Sequence, residues 1–371
     1  LSQRLRVGLL FGGQSVEHEV SVVSARSVAR AMRETDLECV PIGVTGEGRW
    51  LSSERSARIL EDDVPRVEPG DGDDEVRLFV APGEGGVVRV SGRDVRSVGL
   101  DVVFPLIHGW GGEDGRIQGA LDLAGIPCVG AGVLGSAAGM DKHVTKQLLA
   151  AAGIPVVPWQ LVTIQQWQDE RRASQDRIAS SLQYPLFVKP CNGGSSVGIT
   201  KVGEAAGLEA AVELALAHDR RVVVESGLDA REIECAVLGN DRPEASGLGE
   251  IVPSREFYDY EAKYVDGTSA LEIPARLDGE LVETIRGQAT AAFRALDLAG
   301  FARVDTLLDR RDGRVFLNEV NTLPGFTPIS MFPKLWEAEG LSYPKLIERL
   351  VELALERARV VSRRTVRRET G

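Results

Sequence analysis

From Phe301 to Asn321 the chain reads FARVDTLLDRRDGRVFLNEVN, two apolar runs around an Asp312-Gly313 turn. Asp-Gly between two apolar segments is a strong hairpin signal, because both residues tolerate the positive φ that a tight turn requires. A hairpin here constrains the chain more than any other feature, since it dictates which side chains meet. Asp305 and Glu319 lie almost equidistant from the turn and are expected as cross-strand neighbours. Asn321, two residues beyond Glu319, is expected on the same face, because strand side chains alternate. The plain alternative is a solvated sheet face bearing ordinary acids. Against it, the flanking Val304, Leu307, Phe316, Leu317 and Val320 are apolar, and two like charges half-buried without a cation are costly. Two carboxylates and an amide oxygen are the hard ligands that suit Mg²⁺.

At 371 residues the chain is long for one core, which suggests two or three domains. It opens with an apolar strand, RLRVGLLF, a Gly12-Gly13 turn and a helical stretch, SVEHEVSVVSARSVARAM. Strand, glycine turn and helix are the entry to a parallel α/β layer, and the opening reads as this strand rather than as a signal peptide. LDVVFPLIHG is a second buried strand, followed by a Gly-rich turn, the helix RIQGALDLAG and a short strand, IPCVG. A second segment, 131–225, holds the helix DKHVTKQLLAAAG, the strands IPVVPWQLV and PLFVKP, a Gly/Ser loop, an amphipathic helix and the strand RRVVVE. A third, 226–360, alternates strands with a polar loop and carries a long helix, the hairpin and a C-terminal helix. In that last helix Leu346, Ile347, Leu350, Val351 and Leu353 recur at helical spacing and read as core. Residues 61–75 form an acidic loop, and 361–371 a flexible basic tail.

Several function classes are disfavoured. No apolar run approaches the ~20 residues that cross a bilayer. Cys39, Cys128, Cys191 and Cys235 form no CxxC, and the histidines no HxxxH, which argues against a zinc site or a disulfide framework and for a reducing cytoplasm. A net charge of −12 argues against a nucleic-acid surface. GAGVLG, residues 130–135, matches a dinucleotide fingerprint, but the next strand lacks the acid that such a site requires. No GxxxxGK[ST] occurs. Instead, Lys189 ends an apolar strand and is followed by a loop of small residues, Gly193 to Gly198, whose backbone N–H groups suit a phosphate; a simple turn is the plain alternative. Lysine occurs seven times against thirty-six arginines. Where Arg serves for most positive charge, a retained Lys is more often one whose compact ammonium is needed. Lys142, Lys189 and Lys263 all fall in the motifs that follow.

Those motifs are GGQSVEHEVS (12–21), HGWGGEDGRIQG (108–119), GMDK (139–142), VKPCNGGSSVGI (188–199), FYDYEAKY (257–264), ARVD (302–305) and NEVNTLPGFTPIS (318–330). In this order, across residues 6–355, they resemble the D-alanine–D-alanine ligases of the ATP-grasp superfamily. The resemblance implies an α/β and α+β chain with a three-domain ATP-grasp architecture. The domains are an N-terminal Rossmann-like parallel α/β domain (1–130), a central subdomain (131–225) and a C-terminal subdomain (226–360) with a lid loop at 251–271.

By the same resemblance, ATP lies between the last two domains. Lys142 and Lys189 would neutralise its phosphates, with Ser196 in the covering loop. Glu225 and the backbone of Ser226 and Leu228 would meet the adenine and Glu232 the ribose, although Gly227 stands where relatives often carry an aromatic. Phe257 and Lys263 belong to the lid, Lys263 reaching the transferred phosphate. Asp305, Glu319 and Asn321 would hold two Mg²⁺ ions, with Mn²⁺ as a substitute. Glu17 would pair with the ammonium of the first D-alanine, linked to Ser195 and Tyr264; helix-dipole stabilisation is a compatible role for the same acid. Val20 and His108 would lie beside this substrate, Ser330 would bind the carboxylate of the second D-alanine, and Arg303 with the Gly325 N–H would form an oxyanion hole. The resemblance further implies a cytoplasmic homodimer that serves peptidoglycan synthesis. Tyr264 on the lid argues for a dipeptide rather than a D-alanine–D-lactate product; a silent nucleotide-binding module is the remaining alternative.

Overall fold

The computed structural model describes residues 4–69, 75–79, 86–91, 94–252, 270–327 and 329–362. Three sheets organise them. The first strand, β1 (Leu5–Gly12), is buried along all but its first two residues, as expected for a strand covered on both faces. It lies parallel to β2 (Leu37–Val44) on one side and to β7 (Val102–Pro105) on the other. Between β2 and β7 in sequence come β3 (Trp50–Leu51), β4 (Glu75–Phe79), β5 (Gly86–Ser91) and β6 (Asp94–Ser97), which extend the sheet antiparallel beyond β2. The sheet is therefore mixed, with a three-stranded parallel part where the sequence suggested a parallel layer. Helix α1 (His18–Met32) buries Val22, Ala25, Val28 and Met32, and α2 (Ser53–Glu61) is capped by the Ser52 side chain, which accepts from the Arg55 amide. IPCVG, expected as a strand, makes only a parallel bridge between Cys128 and Val103.

Helices α3 (Arg116–Leu123), α4 (Val133–Met140) and α5 (Lys142–Ala151) lead to the second sheet. Its strands, β8 (Trp159–Thr163), β9 (Leu186–Pro190), β10 (Thr200–Val202) and β11 (Arg221–Ser226), lie in the order β10-β9-β11-β8, all antiparallel. Strand β8 starts later than the apolar run suggested. Pro155 and Pro158 lack the N–H groups that a ladder needs, and Val156 instead bridges to Leu317 in the third sheet. Helices α6 (Ile164–Asp169), α7 (Arg171–Ser181) and α8 (Leu208–Leu216) accompany this sheet, whose core includes Trp167, Val188, Val212 and Val222.

The third sheet has the order β14-β13-β12-β15-β16 and is again antiparallel. It comprises β12 (Ala230–Gly239), β13 (Glu244–Val252), β14 (Ala270–Glu272), β15 (Gly300–Asp309) and β16 (Val315–Asn321). Helix α9 (Gly279–Ala295) packs through Ile285, Ala289 and Phe293; α10 (Met331–Ala338) and α11 (Tyr343–Ser362) close the chain, with Leu346, Ile347, Leu350, Val351 and Leu353 in the core. An aromatic cluster joins the first and third sheets: Phe104 meets Phe301 edge-on at 6.2 Å and Phe326 at 5.6 Å between ring centroids. It brings the end of β7 against the segment after β16.

Candidate active site

The hairpin supplies the first corner. Asp305 pairs with Glu319 and Arg303 with Asn321 in the β15–β16 register, and a bulge follows Asp305. Asn321 donates from Nδ2 to Asp305 Oδ2 at 2.9 Å. Arg303, two residues before Asp305 and thus on the same face, donates to both oxygens of its carboxylate at 2.7 Å. On the neighbouring strand Glu234 lies opposite Asp305 and meets Arg303 Nε at 3.0 Å. Three acids thus run across β12, β15 and β16, with one guanidinium among them. Burial opposes the Arg303 charge, but Asp305, Glu234 and Glu319 raise its pKa well above the ordinary value.

The second corner is the Gly/Ser loop after β9. Ser195 and Ser196 both adopt left-handed backbone, with φ of 50° and 59°, a conformation that costs non-glycine residues about 1–2 kcal/mol each. The two successive left-handed residues turn the loop sharply at this point. Lys142, first residue of α5, donates from Nζ to the Gly193 carbonyl at 2.8 Å and so reaches the loop from below. Asp141 caps the same helix by accepting from the Val144 amide at 3.0 Å, and it also accepts from Asn192 at the loop entrance and from Arg221. Lys189 forms an ion pair with Glu225, the penultimate residue of β11. Burial by itself lowers the Lys189 pKa, yet Glu225, Glu319 and Glu232 reverse this and raise it. The field of Glu319 is felt both at Lys189 and at Arg303, which places the hairpin face and the end of β9 in one electrostatic site.

The third corner joins the loop to the first sheet. Ser195 Oγ donates to Glu17 Oε1 at 2.5 Å, and Glu17 is buried at the start of α1. A Cβ on Gly109 or Gly194 would stand 2.5 Å or 2.7 Å from Glu17 Oε2, so a side chain at either position would push this carboxylate aside, and Gly109 also holds a φ of +71° that favours glycine. His108 is buried beside it. Its Nδ1 lies 3.1 Å from the Leu323 carbonyl, Nε2 lies 3.1 Å from Ser24 Oγ, and Glu113 stands 3.6 Å from Nδ1. Burial disfavours the imidazolium, but Glu113, Glu17 and the Leu323 carbonyl together raise the His108 pKa. Ser330 precedes α10 and accepts from the Thr327 amide at 3.0 Å; a Cβ on Gly325 would meet its Oγ at 2.9 Å.

The remaining expected residues fall as follows. Val20 is buried in α1. Ser226 ends β11 and accepts from the Gln183 amide at 3.1 Å. Leu228 is half-buried in the short link to β12, on which Glu232 faces Leu307 of β15. Gly227 has no room for a side chain, since a Cβ would lie 2.9 Å from the Pro185 carbonyl. Phe257, Lys263 and Tyr264, with nearly all of the expected lid, lie outside the described residues. Sequence reasoning missed Lys146, Glu113 and Glu234. Lys146 carried a usable signal, since it follows Lys142 at i+4 and is one of few lysines.

Residues 6–131 match the family model described as D-ala D-ala ligase N-terminus, and residues 148–352 match D-ala D-ala ligase C-terminus. The chain belongs to the D-alanine–D-alanine ligase family. It is 50% identical over 353 residues to the D-alanine–D-alanine ligase of Deinococcus radiodurans, covering 95% of this chain and 98% of that one. To the ligase of Geobacillus thermodenitrificans it is 47% identical over 356 residues, with 95% and 96% covered. Among solved structures it resembles the VanG D-Ala:D-Ser ligase of Enterococcus faecalis, with TM-score 0.82, 36% identity, and 95% of this chain and 100% of that one covered. Its likeness to the D-alanine–D-alanine ligase of Coxiella burnetii gives a TM-score of 0.80 at 33% identity, with 98% and 97% covered. Among the described residues of this ligase-family chain no helix is long and apolar enough to cross a membrane.

Proposed function

We propose that the chain joins two D-alanine molecules at the expense of ATP, through a D-alanyl phosphate, for peptidoglycan synthesis. The observation that carries this reading is the hydrogen bond from Ser195 to Glu17. It joins a carboxylate suited to an amino-acid ammonium to the loop that follows the phosphate-seeking Lys189, so one movement of the loop serves both substrates. A carboxylate is a poor acyl donor because its leaving group is oxide; taking the γ-phosphoryl group from ATP gives it a good one. Lys142, Lys189 and the backbone N–H groups of the Gly193–Ser196 loop offset the negative charge gathered there. The amine of the second D-alanine, held by Ser330 through its carboxylate and deprotonated, then attacks the acyl phosphate, and the tetrahedral intermediate collapses with loss of phosphate to give the peptide bond. Arg303 and the Gly325 amide face the resulting oxyanion, a role typically worth about 3–4 kcal/mol.

Asp305, Glu319 and Asn321 fit Mg²⁺. Asn321 gives its amide nitrogen to Asp305, which leaves its carbonyl oxygen as a hard donor beside two carboxylates on one face. Among the described residues no cluster of three His, Cys, Asp or Glu side chains suits a metal, so the donor set we propose depends on the asparagine. Bound there, the ion supplies charge neutralisation for the phosphates. We place the domain boundaries near residues 130 and 225, consistent with the division into three sheets, and the lid at 251–271. Lys263 and Tyr264 of the lid exclude water from the acyl phosphate. A cytoplasmic homodimer is part of the same proposal.

The test is a product assay by mass with ATP, Mg²⁺ and D-alanine, run beside mixtures containing D-lactate or D-serine. D-alanyl-D-alanine with stoichiometric ADP is expected. Predominant ester or mixed dipeptide would overturn the substrate assignment, and nucleotide binding without D-alanine-dependent ADP release would favour a silent module.

A further inference from the structure

Lys146 has no part in the reading above, yet its side chain is only 3% exposed. It stands one helical turn after Lys142 on α5, on the same side of the helix. Lys142 turns to the Gly/Ser loop, whereas Lys146 turns to β11 and meets Glu225 Oε2 at 2.8 Å. The other oxygen, Oε1, is held by Lys189. One buried carboxylate therefore sits between two ammonium groups that arrive from different elements.

We propose that Lys146 is a positioning residue for phosphate binding: it is the resident counter-charge of Glu225, which lets Lys189 exchange that carboxylate for a nucleotide phosphate. The proposal rests on the reading of Lys189 as a phosphate ligand. If Lys189 were the sole partner of Glu225, its departure would leave a carboxylate that is 3% exposed without a cation, and removing one member of a buried pair is strongly unfavourable. With Lys146 in place the exchange leaves an intact pair. Lys189 is the member able to leave: its side chain is 14% exposed, against 3% for Lys146, and it adjoins the loop. Burial would raise the Glu225 pKa, but the two lysines hold it down at about 2, so the carboxylate stays ionised. Burial and the nearby Lys189 lower the Lys146 pKa despite Glu225, a repulsion that is relieved when Lys189 moves to a phosphate.

The experiment compares, by calorimetry on the full chain, the affinities for the β,γ-imido analogue of ATP and for adenosine. Their ratio reads the phosphate contribution alone. Lys146→Met is expected to lower this ratio roughly tenfold or more, because Lys189 is then retained one-to-one by Glu225. That pair is itself satisfied, so the fold is expected to survive. Adding Glu225→Gln to Lys146→Met removes the retaining carboxylate and is expected to restore the ratio. An unchanged ratio in Lys146→Met, including an equal loss for both ligands, overturns the proposal. Should that variant not fold, Lys146→Arg carries the test: a ratio near wild type is expected, and a collapsed one overturns the proposal. A wild-type chain that binds the analogue no better than adenosine sinks the phosphate role of Lys189, and the proposal with it. A high wild-type ratio that Lys146→Met leaves unmoved sinks the proposal alone.

Discussion

Ser195 Oγ donates to Glu17 Oε1 at 2.5 Å, across 178 residues of sequence. The bond ties the loop after β9 to the first turn of α1, and it ends on a charged acceptor. Hydrogen bonds to charged groups contribute about 1.5–3 kcal/mol. Ser195→Ala is therefore expected to lower kcat/KM for D-alanine by roughly ten- to a hundredfold, with a stability loss of up to about the same free energy. Steady-state ADP release over a D-alanine series checks this, and wild-type kinetics would show that the tie does not serve the reaction.

Ser196 holds a φ of 59° without being glycine. Ser196→Gly is expected to stabilise the chain by up to about 1–2 kcal/mol by relieving that conformation. Ser196→Val is expected to destabilise it, since a β-branched residue at positive φ is a clear outlier. Chemical denaturation of both variants reads the sign. Equal stabilities would mean that the loop relaxes in solution.

Glu319 faces Asp305 across the hairpin and acts electrostatically on Lys189 and Arg303. Glu319→Gln keeps the shape and removes a charge. Turnover at saturating ATP is expected to fall by about two orders of magnitude or more, on the scale of the several kcal/mol that a bound cation contributes. More Mg²⁺ is expected to be needed for half-maximal rate. A Mg²⁺ titration that superimposes on wild type refutes the metal assignment.

His108 sets a pH dependence. Burial opposes its charge, but Glu113, Glu17 and the Leu323 carbonyl raise its pKa above the ordinary 6.5. A raised folded-state pKa means that the fold binds the proton more tightly than the unfolded chain does. The contribution is thus complete below the ordinary value and is lost as pH climbs through the raised one. The stability gap between wild type and His108→Gln is expected to be larger near about pH 6 than near about pH 9. Urea unfolding at both pH values measures it; a gap that widens with pH reverses the assignment.

Much of the hairpin could be read from residue order because its determinants are local. Asp312-Gly313 lies in the six-residue loop between Leu308 and Val315, where Gly313 adopts a φ of 72°, and the alternation places Asp305, Glu319 and Asn321 on one face; the β15–β16 register pairs Asp305 with Glu319. Strand β1 was legible as a continuous apolar run, and helix α1 and the core face of α11 by their helical period. Strands β3 to β6 were not. They are two to six residues long, too short for alternation to stand out, and they are held by neighbours rather than by their own pattern.

The sequence by itself determined the elements with a strong local pattern, such as the hairpin, α1 and α11, and which of their side chains share a face, because propensity, turn chemistry and periodicity act over a few residues. Tertiary structure alone decided which faces meet. It set Glu17 against Ser195, His108 against the Leu323 carbonyl 215 residues away, Lys146 against Glu225, and Glu234 beside Arg303. These pairings follow from how three sheets and their helices pack, a long-range balance of burial and charge that local residue order does not encode.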